Sequence, residues 1–247
     1  TMSEDKTALS YWFPKLVHAG LPVPKTMILQ MPPKAQQIIF KGFDGNEGTE
    51  DEQAEWKAFI AELGRMIGDV GLPAFLRTDH TSGKHEWRET CFVPTADPKD
   101  IGSHVFAIAE FSEICSLMGV PWNTWVVREY LPIKPLGTCP RYKDMPLCRE
   151  YRFFVADGEV RCWHPYWPME ALERGGADTS IYDRLATAPD DYAALHSLAD
   201  RVARAVEGAW SVDILETERG WYVTDMAQAH ESFHWEGCEY ETAEVGD

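Results

Sequence analysis

Two aspartates near the end of the chain, Asp213 and Asp225, have the residue type and spacing of a metal site. Each lies among apolar neighbours, in SVDIL and YVTDM, and a polar break ending in Gly220 separates them. This pattern predicts two β-strands joined by a tight turn. If the loop has three residues and Gly220 forms a G1 bulge, Asp213 lies directly opposite Asp225. Two carboxylates at such a short distance repel each other unless a cation lies between them, and Mg²⁺ binds carboxylate oxygens.

Counting residues does not decide the register of this hairpin. A two-residue loop would put the two acids on opposite faces and remove the site, because side chains alternate along a strand. The alternative interpretation is a solvent-facing hairpin with scattered acids.

A second informative stretch is LPAFLRTDHTSGKHEWRETCFV, in which a short strand at residues 74–76 leads through a polar loop to a strand near residues 91–93. Such a hairpin can fold over an anion. Arg77 and Lys84 bring positive charge, Ser82 offers a hydroxyl, and Gly83 permits close backbone approach. The alternative is a surface hairpin in which the basic side chains balance nearby acids.

Two further strands carry candidate binding residues. WVVREYLPI predicts a buried strand that leaves into a proline-bearing linker, where the backbone of Glu129, Tyr130 and Leu131 is free to bond an adenine edge. REYRFFVADGEVRCWH predicts a hairpin turning at residues 157–158. Alternation puts Glu150 and Arg152 on one face, and a charged pair on an inner strand usually serves a bound ligand.

The remaining segments supply the elements that must position these residues. Apolar spacing predicts helices over residues 7–19, 53–67, 100–117 and 189–207, with Gly20 ending the first and Pro189 near the start of the last. Residues 30–52 are predicted to be a linker with an acidic loop, and residues 133–147 a loop with three prolines. The segment after His164 is an aromatic, then glycine-rich connection that could line a substrate entrance.

Composition bounds the class of protein. The 247 residues, 45% hydrophobic, suffice for a packed core. A formal charge of −17 argues against a surface that coats nucleic acid, which needs clustered Lys and Arg. The six cysteines lack zinc spacing, so reduced buried thiols are expected. The sequence has no leader-like start and no apolar run of membrane-spanning length, so we expect a cytoplasmic protein without a membrane partner.

In this order, the motifs resemble the ATP-grasp superfamily from about residue 17 to residue 235. AGLPVPKT is similar to the start of the first lobe, LRTDHTSGK to the phosphate-covering loop, and VVREYLPI to the interlobe hinge. REYRFFVADGEV is similar to the inner strand with a phosphate-contacting arginine, and VDILETERGWYVTDM to the metal-binding strands. Within the superfamily, the chain is similar to the eukaryotic cell-division-cycle assembly factor for translation initiation factor two and to a small phage- and bacterium-associated clade.

The resemblance implies an α+β fold with two lobes, each with an antiparallel sheet and helices, and a nucleotide cleft between them. It divides the chain into an N-terminal segment, 1–52, and lobes at 53–127 and 128–247. It also implies ATP and Mg²⁺ as cofactors and assigns roles to particular residues. The triphosphate contacts are Arg77, Ser82, Lys84 and Arg152, of which Lys84 and Arg152 are catalytic. Arg128 is a further cofactor-binding residue at the hinge, and the backbone of Glu129, Tyr130 and Leu131 contacts adenine. The metal ligands are Asp213, Asp225 and Gln228.

Two positions depart from the family pattern. Where the last metal strand usually carries Asn two residues after its acid, this chain has Ala227. Arg77 stands where many members have lysine, and its forked guanidinium is bulkier. Both changes bear on two-metal geometry more than on nucleotide binding.

Three functions fit these motifs. The first is an ATP-dependent carboxylate–amine ligase that forms an acyl phosphate, with a peptide or protein as one possible acceptor. The second is an ATP-binding assembly factor without ligase turnover. Its net negative charge would suit a basic protein partner. The third, a ligase that repairs nucleic-acid ends, is disfavoured by the charge.

Overall fold

The computed structural model describes residues 5–116 and 121–235, without the side chains of residues 115 and 116. The chain divides into two compact units, one of Lys25–Tyr130 and one that joins Thr1–Pro24 to Leu131–Asp247. Helices and antiparallel sheets occur in both, which confirms the predicted α+β class. The predicted helix end at Leu117 and the acidic tail after residue 235 lie outside the described residues. The predicted lobes 53–127 and 128–247 stay a prediction.

The first predicted helix is confirmed as α1 (Leu9–His18), which belongs to the second of these units. Gly20 follows it at φ 63°, the left-handed conformation that glycine adopts most easily after a helix.

The unit Lys25–Tyr130 is built on one antiparallel sheet. Its strands are β1 (Thr26–Gln30), β2 (Ala74–Thr78), β3 (Phe92–Val93) and β4 (Thr124–Glu129). They lie in the order β1-β4-β2-β3, as far as the sheet is described. The helices of this unit are α2 (Pro33–Phe43), α3 (Glu50–Val70) and α4 (Pro98–Ser116).

One face of this sheet forms the core of the unit. Leu76 and Val127 point into a cluster with Leu63 of α3 and Val105 of α4, and all four are fully buried. Since alternate residues of a strand point to opposite faces, Phe75, Arg77 and Arg128 belong to the other face.

The predicted linker at residues 30–52 is wrong in its first half, because residues 33–43 form α2. Pro33 occupies the first turn, where a proline ring is tolerated, and Ile38 and Ile39 are buried on one side. The acidic loop ends at Thr49, which forms a capping box with Glu52. This cap starts α3 three residues earlier than predicted.

The second unit contains a small hairpin and a larger antiparallel sheet. The hairpin consists of β5 (Gly137–Cys139) and β6 (Met145–Leu147). The strands of the sheet are β7 (Glu150–Ala156), β8 (Glu159–Pro165), β9 (Trp210–Thr217) and β10 (Gly220–Gln228), in the order β10-β9-β7-β8. The helices that follow β8 are α5 (Met169–Gly175), α6 (Tyr182–Ala186) and α7 (Tyr192–Ala205).

One face of this second sheet is covered by α7, which contacts β7, β8 and β9. Tyr151 and Phe153 on that face are fully buried, and Arg152 between them belongs to the opposite face. The predicted turn is confirmed, with Asp157 and Gly158 both at positive φ. The opposite face of this sheet is therefore the one that carries the predicted charged residues.

Two boundaries in this unit differ from the predictions. The predicted loop at residues 133–147 contains β5 and β6, because Leu147 and Cys139 are buried and hold the two short strands together. Helix α7 begins at Tyr192 rather than near Pro189, whose carbonyl instead accepts a hydrogen bond from the backbone N–H of Tyr192.

Candidate functional site

The hairpin of β9 and β10 places Asp213 directly opposite Asp225. Its loop has only the two residues 218–219, because Thr217 pairs with Gly220. The expectation that a two-residue loop separates the two acids is therefore wrong.

A β-bulge at Thr224 explains why the acids still face each other. The register shifts by one between Val223 and Asp225, so Thr224 is the extra residue and the side-chain alternation is restored beyond it. The Thr224 hydroxyl lies 3.2 Å from both Glu150 Oε1 and the backbone oxygen of Asp213. These contacts fix the bulge against β7 and β9, and with it the position of the second acid.

Four polar side chains form one row across the sheet. Asp225 pairs with Asp213, Asp213 with Arg152, and Arg152 with His164, so the row crosses β10, β9, β7 and β8 in order. Directly opposite residues share a face and have Cβ atoms about 4.5–5.5 Å apart. We call these four residues the polar row.

Arg152 and Asp213 form the central contact of the polar row. Arg152 Nε lies 2.7 Å from Asp213 Oδ1 and Nη2 lies 2.8 Å from Oδ2, a bidentate pair between largely buried side chains. Burial opposes the charge on Arg152, but the hydrogen bonds and attraction of Asp213 outweigh it and raise the pKa of the guanidinium. Its carbon also lies 5.0 Å from the ring centre of Tyr166. The site therefore holds a charged arginine against one of the two acids.

His164, at the end of the polar row, is held neutral. Burial lowers the pKa of His164 to about 4, with Arg152 and His234 adding to the shift and two backbone carbonyls opposing it. Its Nδ1 lies 2.7 Å from the carbonyl of Pro165, which places the proton on that nitrogen. Its Nε2 is buried and meets no hydrogen-bond partner of good geometry among the described residues. This nitrogen therefore lies buried on the face of the polar row, on the side of the Phe233 carbonyl.

In the unit Lys25–Tyr130, two predicted cofactor-binding arginines share one sheet face. Arg77 and Arg128 are 5% and 4% exposed, so both guanidinium groups are held within the protein. Arg128 Nε donates to Thr26 Oγ1 at 3.2 Å, and Arg77 Nε donates to the carbonyl of Thr78 at 3.0 Å. Their positions are set by the strands themselves rather than by a loop.

The loop that carries Ser82 and Lys84 is fastened by hydroxyl groups. Thr81 Oγ1 lies 2.8 Å from Ser112 Oγ on α4, and Thr90 Oγ1 donates to the carbonyl of Gly83 at 2.8 Å. Gly83 has φ 62° and a Cβ there would lie 3.0 Å from Thr90 Cγ2, so glycine is favoured at this position. Lys84 is half-buried and begins a 3₁₀ turn.

The predicted adenine contacts are placed at the end of β4. The backbone N–H of Glu129 donates to the carbonyl of Lys25 at 2.8 Å, and Glu129 Oε1 accepts from the N–H of Lys25 at 3.1 Å. The N–H of Glu129 is thus used within the sheet, and the expectation that this group is free to bond adenine is wrong. The ring of Tyr130 packs with Trp87 and Phe92 at centroid distances of 6.0 and 5.3 Å.

Trp87 and Phe75 were missed by the sequence reasoning. The Phe75 ring lies 6.0 Å from that of Trp87, and Phe75 pairs directly with Arg128 across the two strands. An aromatic cluster therefore shares the face of the two arginines. Alternation in AFLRT could have placed Phe75 there, but nothing in the sequence marks Trp87.

Comparison with protein families shows the family to which the chain belongs. Residues 62–239 match the model of the ATP-grasp domain, R-two-K clade, family 3. The chain belongs to this ATP-grasp family. No curated protein matches it.

Three solved structures are similar to this ATP-grasp chain, and the two with a TM-score above 0.5 share its fold. C-terminally truncated Cdc123 from Schizosaccharomyces pombe matches with a TM-score of 0.57 at 12% identity, covering 98% of this chain and 96% of that one. N5-carboxyaminoimidazole synthase from Aspergillus clavatus, in complex with ADP and 5-aminoimidazole ribonucleotide, matches with a TM-score of 0.51 at 13% identity, covering 93% and 46%. A RimK domain ATP-grasp protein from Sphaerobacter thermophilus has a TM-score of 0.47 at 16% identity, covering 90% of this chain. The chain spans 60% of the length of that last protein.

In this ATP-grasp chain, the predicted metal ligands do not all share a face. Asp213 and Asp225 do, whereas Gln228 pairs with Trp210 and lies with Met226 on the opposite side of β10. Ala227 shares the face of the acids but has no donor atom. Among residues 5–116 and 121–235, no group of three or more His, Cys, Asp and Glu is arranged to hold a metal. The carboxylate oxygens of the two aspartates nevertheless suit Mg²⁺, which usually takes one or two carboxylates and completes its shell with waters and phosphates.

No helix in the described part of the chain is both long and apolar enough to cross a bilayer.

Proposed function

We propose that this ATP-grasp chain binds ATP together with Mg²⁺. The observation that carries the proposal is the polar row, in which a bulge brings Asp225 opposite Asp213, which is itself paired with Arg152, in a chain of the ATP-grasp family. Two paired acids next to a charged arginine suit a cation and the phosphates that it accompanies.

The proposed roles follow from residue chemistry. Asp213 and Asp225 hold Mg²⁺, which neutralises phosphate charge when bound. Lys84 and Arg152, the predicted catalytic residues, are each proposed to contact phosphate. Further phosphate contacts come from Arg77 and Ser82, Arg128 is a further cofactor-binding residue, and adenine contacts come from Glu129, Tyr130 and Leu131. Phosphoryl transfer needs mainly positioning and neutralisation, which these groups supply.

For the reaction, we propose ATP-dependent ligation. A carboxylate attacks the γ-phosphate to give an acyl phosphate and ADP, and an amine then displaces inorganic phosphate. Peptides and proteins are the acceptor class that we propose to test first. ADP release would be measured with pools of carboxylates and amines, in wild type and in Lys84→Ala. Release that needs both pools and disappears in the variant would support ligation.

A second candidate function is an ATP-binding assembly factor for a protein complex. It is favoured by the match to Cdc123, which covers nearly the whole of both chains. Tight ATP binding without ADP release under any acceptor pool, together with stoichiometric binding of one purified basic protein, would select this function over ligation.

A further inference from the structure

The segment 232–235, which follows β10 and a short 3₁₀ turn, lies over the polar row. We call it the strap. Ser232 Oγ lies 2.6 Å from Ser211 Oγ on β9, and the ring of Trp235 stacks on His164 with centroids 5.1 Å apart and an interplanar angle of 23°. The strap therefore covers the face of the sheet from β9 to β8.

Arg152 connects the strap to the carboxylates. Its Nε and Nη2 bond Asp213, and its remaining nitrogen, Nη1, lies 3.5 Å from the carbonyl of Phe233. All three nitrogens of the guanidinium are thus engaged within the protein. For Arg152 to contact a phosphate, at least one of these contacts has to be given up, and the long bond to Phe233 is the weakest of the three.

Cys162 lies under the strap. Its Sγ is 2.9 Å from His234 Nε2, and the His234 ring packs edge-on against Phe154 at 4.5 Å. The thiol residue is only 5% exposed and is not part of a disulfide. Since the neighbour that covers it belongs to the strap, the accessibility of Cys162 reports the position of the strap.

The strap is incompletely bonded where it meets the sheet. Two buried nitrogens at this contact, His164 Nε2 and Trp235 Nε1, find no hydrogen-bond partner of good geometry in the part of the chain that the structure describes. A buried polar group without a partner costs free energy that water would recover. The covered arrangement is therefore destabilised at this contact, as expected of a segment that has a second position.

We propose that the strap is a displaceable cover of the polar row, and that binding of ATP and Mg²⁺ displaces it. When Mg²⁺ binds Asp213 and phosphate binds Arg152, the hydrogen bond from Arg152 to the carbonyl of Phe233 is lost. Residues 232–235 then move off the sheet. The displacement by ATP and Mg²⁺ rests on the proposed function. That the strap covers the polar row does not.

The test is the rate at which N-ethylmaleimide alkylates Cys162, followed by mass spectrometry of the peptide that carries it. With saturating ATP and Mg²⁺, we expect the rate to rise at least tenfold. Burial raises the pKa of Cys91 to about 11 and that of Cys148 to about 12, so these two thiols should stay slow and serve as internal controls. An unchanged rate at Cys162 while calorimetry shows ATP bound would overturn the proposal.

Variants of Trp235 test, without nucleotide, whether the strap shields Cys162. Without nucleotide, Trp235→Ala should raise the alkylation rate of Cys162 at least tenfold, whereas Trp235→Phe, which keeps an aromatic ring on His164, should stay near the wild-type rate. Circular dichroism checks that each variant is folded. If ATP does not bind the wild type, the proposed function fails, and a wild-type rate in Trp235→Ala would independently refute the cover.

Discussion

Arg152 and Asp213 face each other across β7 and β9 and join through two hydrogen bonds, 2.7 and 2.8 Å long. The Asp213 side chain is 6% exposed and that of Arg152 is 17% exposed, so water screens the pair poorly. If one partner were removed, the other would be left as an unpaired charge in a largely buried position. The pair is therefore a structural contact as well as part of the proposed binding machinery.

Removing the charge of Asp213 should destabilise the fold. Breaking one side of a buried ion pair costs about 3–5 kcal/mol, because the other charge stays buried. We expect a loss of this size in Asp213→Asn, measured by urea denaturation. Asp157→Asn is the matched control, since the Asp157 side chain is 85% exposed in a turn at positive φ, which Asn tolerates. Equal stability of Asp213→Asn and the control would contradict this role.

Thr224→Val tests the bulge without a large change of volume. Loss of the hydroxyl contacts to Glu150 and Asp213 should lower the unfolding free energy by about 1 kcal/mol and weaken the Mg²⁺-dependent part of ATP binding. Thr217→Val is the control, because its hydroxyl donates to the carbonyl of Gly220 at 2.7 Å on the same hairpin but away from the acids. If both variants reduce Mg²⁺ dependence equally, the effect does not come from the bulge.

His164 should make the protein sensitive to mild acid. Its pKa of about 4 lies below its ordinary value of 6.5, so the unfolded chain takes up the proton first as the pH falls. Stability from this group is complete above about pH 6.5 and declines toward pH 4, by up to about 3 kcal/mol. The slope of unfolding free energy against pH in this window should be shallower in His164→Gln. His18→Gln, at an exposed position, should keep the wild-type slope.

Lys84 is proposed to contact phosphate directly, whether or not Mg²⁺ is present. Lys84→Ala should therefore weaken ATP binding about 10- to 100-fold in both conditions, the range of a lost charged hydrogen bond. The control is Lys57→Ala on the exposed side of α3. Unchanged affinity in Lys84→Ala, measured by calorimetry with a non-hydrolysable analogue, would remove Lys84 from the site.

The strands that carry the polar row could be predicted from the sequence, because alternating apolar residues and an Asp-Gly turn are strong local signals. Their register could not, since the bulge at Thr224 depends on contacts to Glu150 and Asp213 from other strands. Helix α2 was missed because its apolar core is short, although Pro33 lies at the first helical turn, where proline is tolerated.

The strap was not predicted, for a related physical reason. His234 and Trp235 contact Cys162 and His164, which lie about 70 residues earlier in the chain. No local pattern encodes such a long-range contact. Likewise, the alternation that puts Gln228 behind the acids could be counted only once the register was known.

The central claim is that Asp225 and Asp213 hold Mg²⁺ for a bound triphosphate, and calorimetry with ATP in the presence and absence of Mg²⁺ tests it most directly. Wild type and the Asp157→Asn control should bind ATP more tightly with Mg²⁺. In Asp225→Asn, we expect this Mg²⁺-dependent gain to disappear while binding without Mg²⁺ is retained. An equal gain from Mg²⁺ in wild type and Asp225→Asn would contradict the claim.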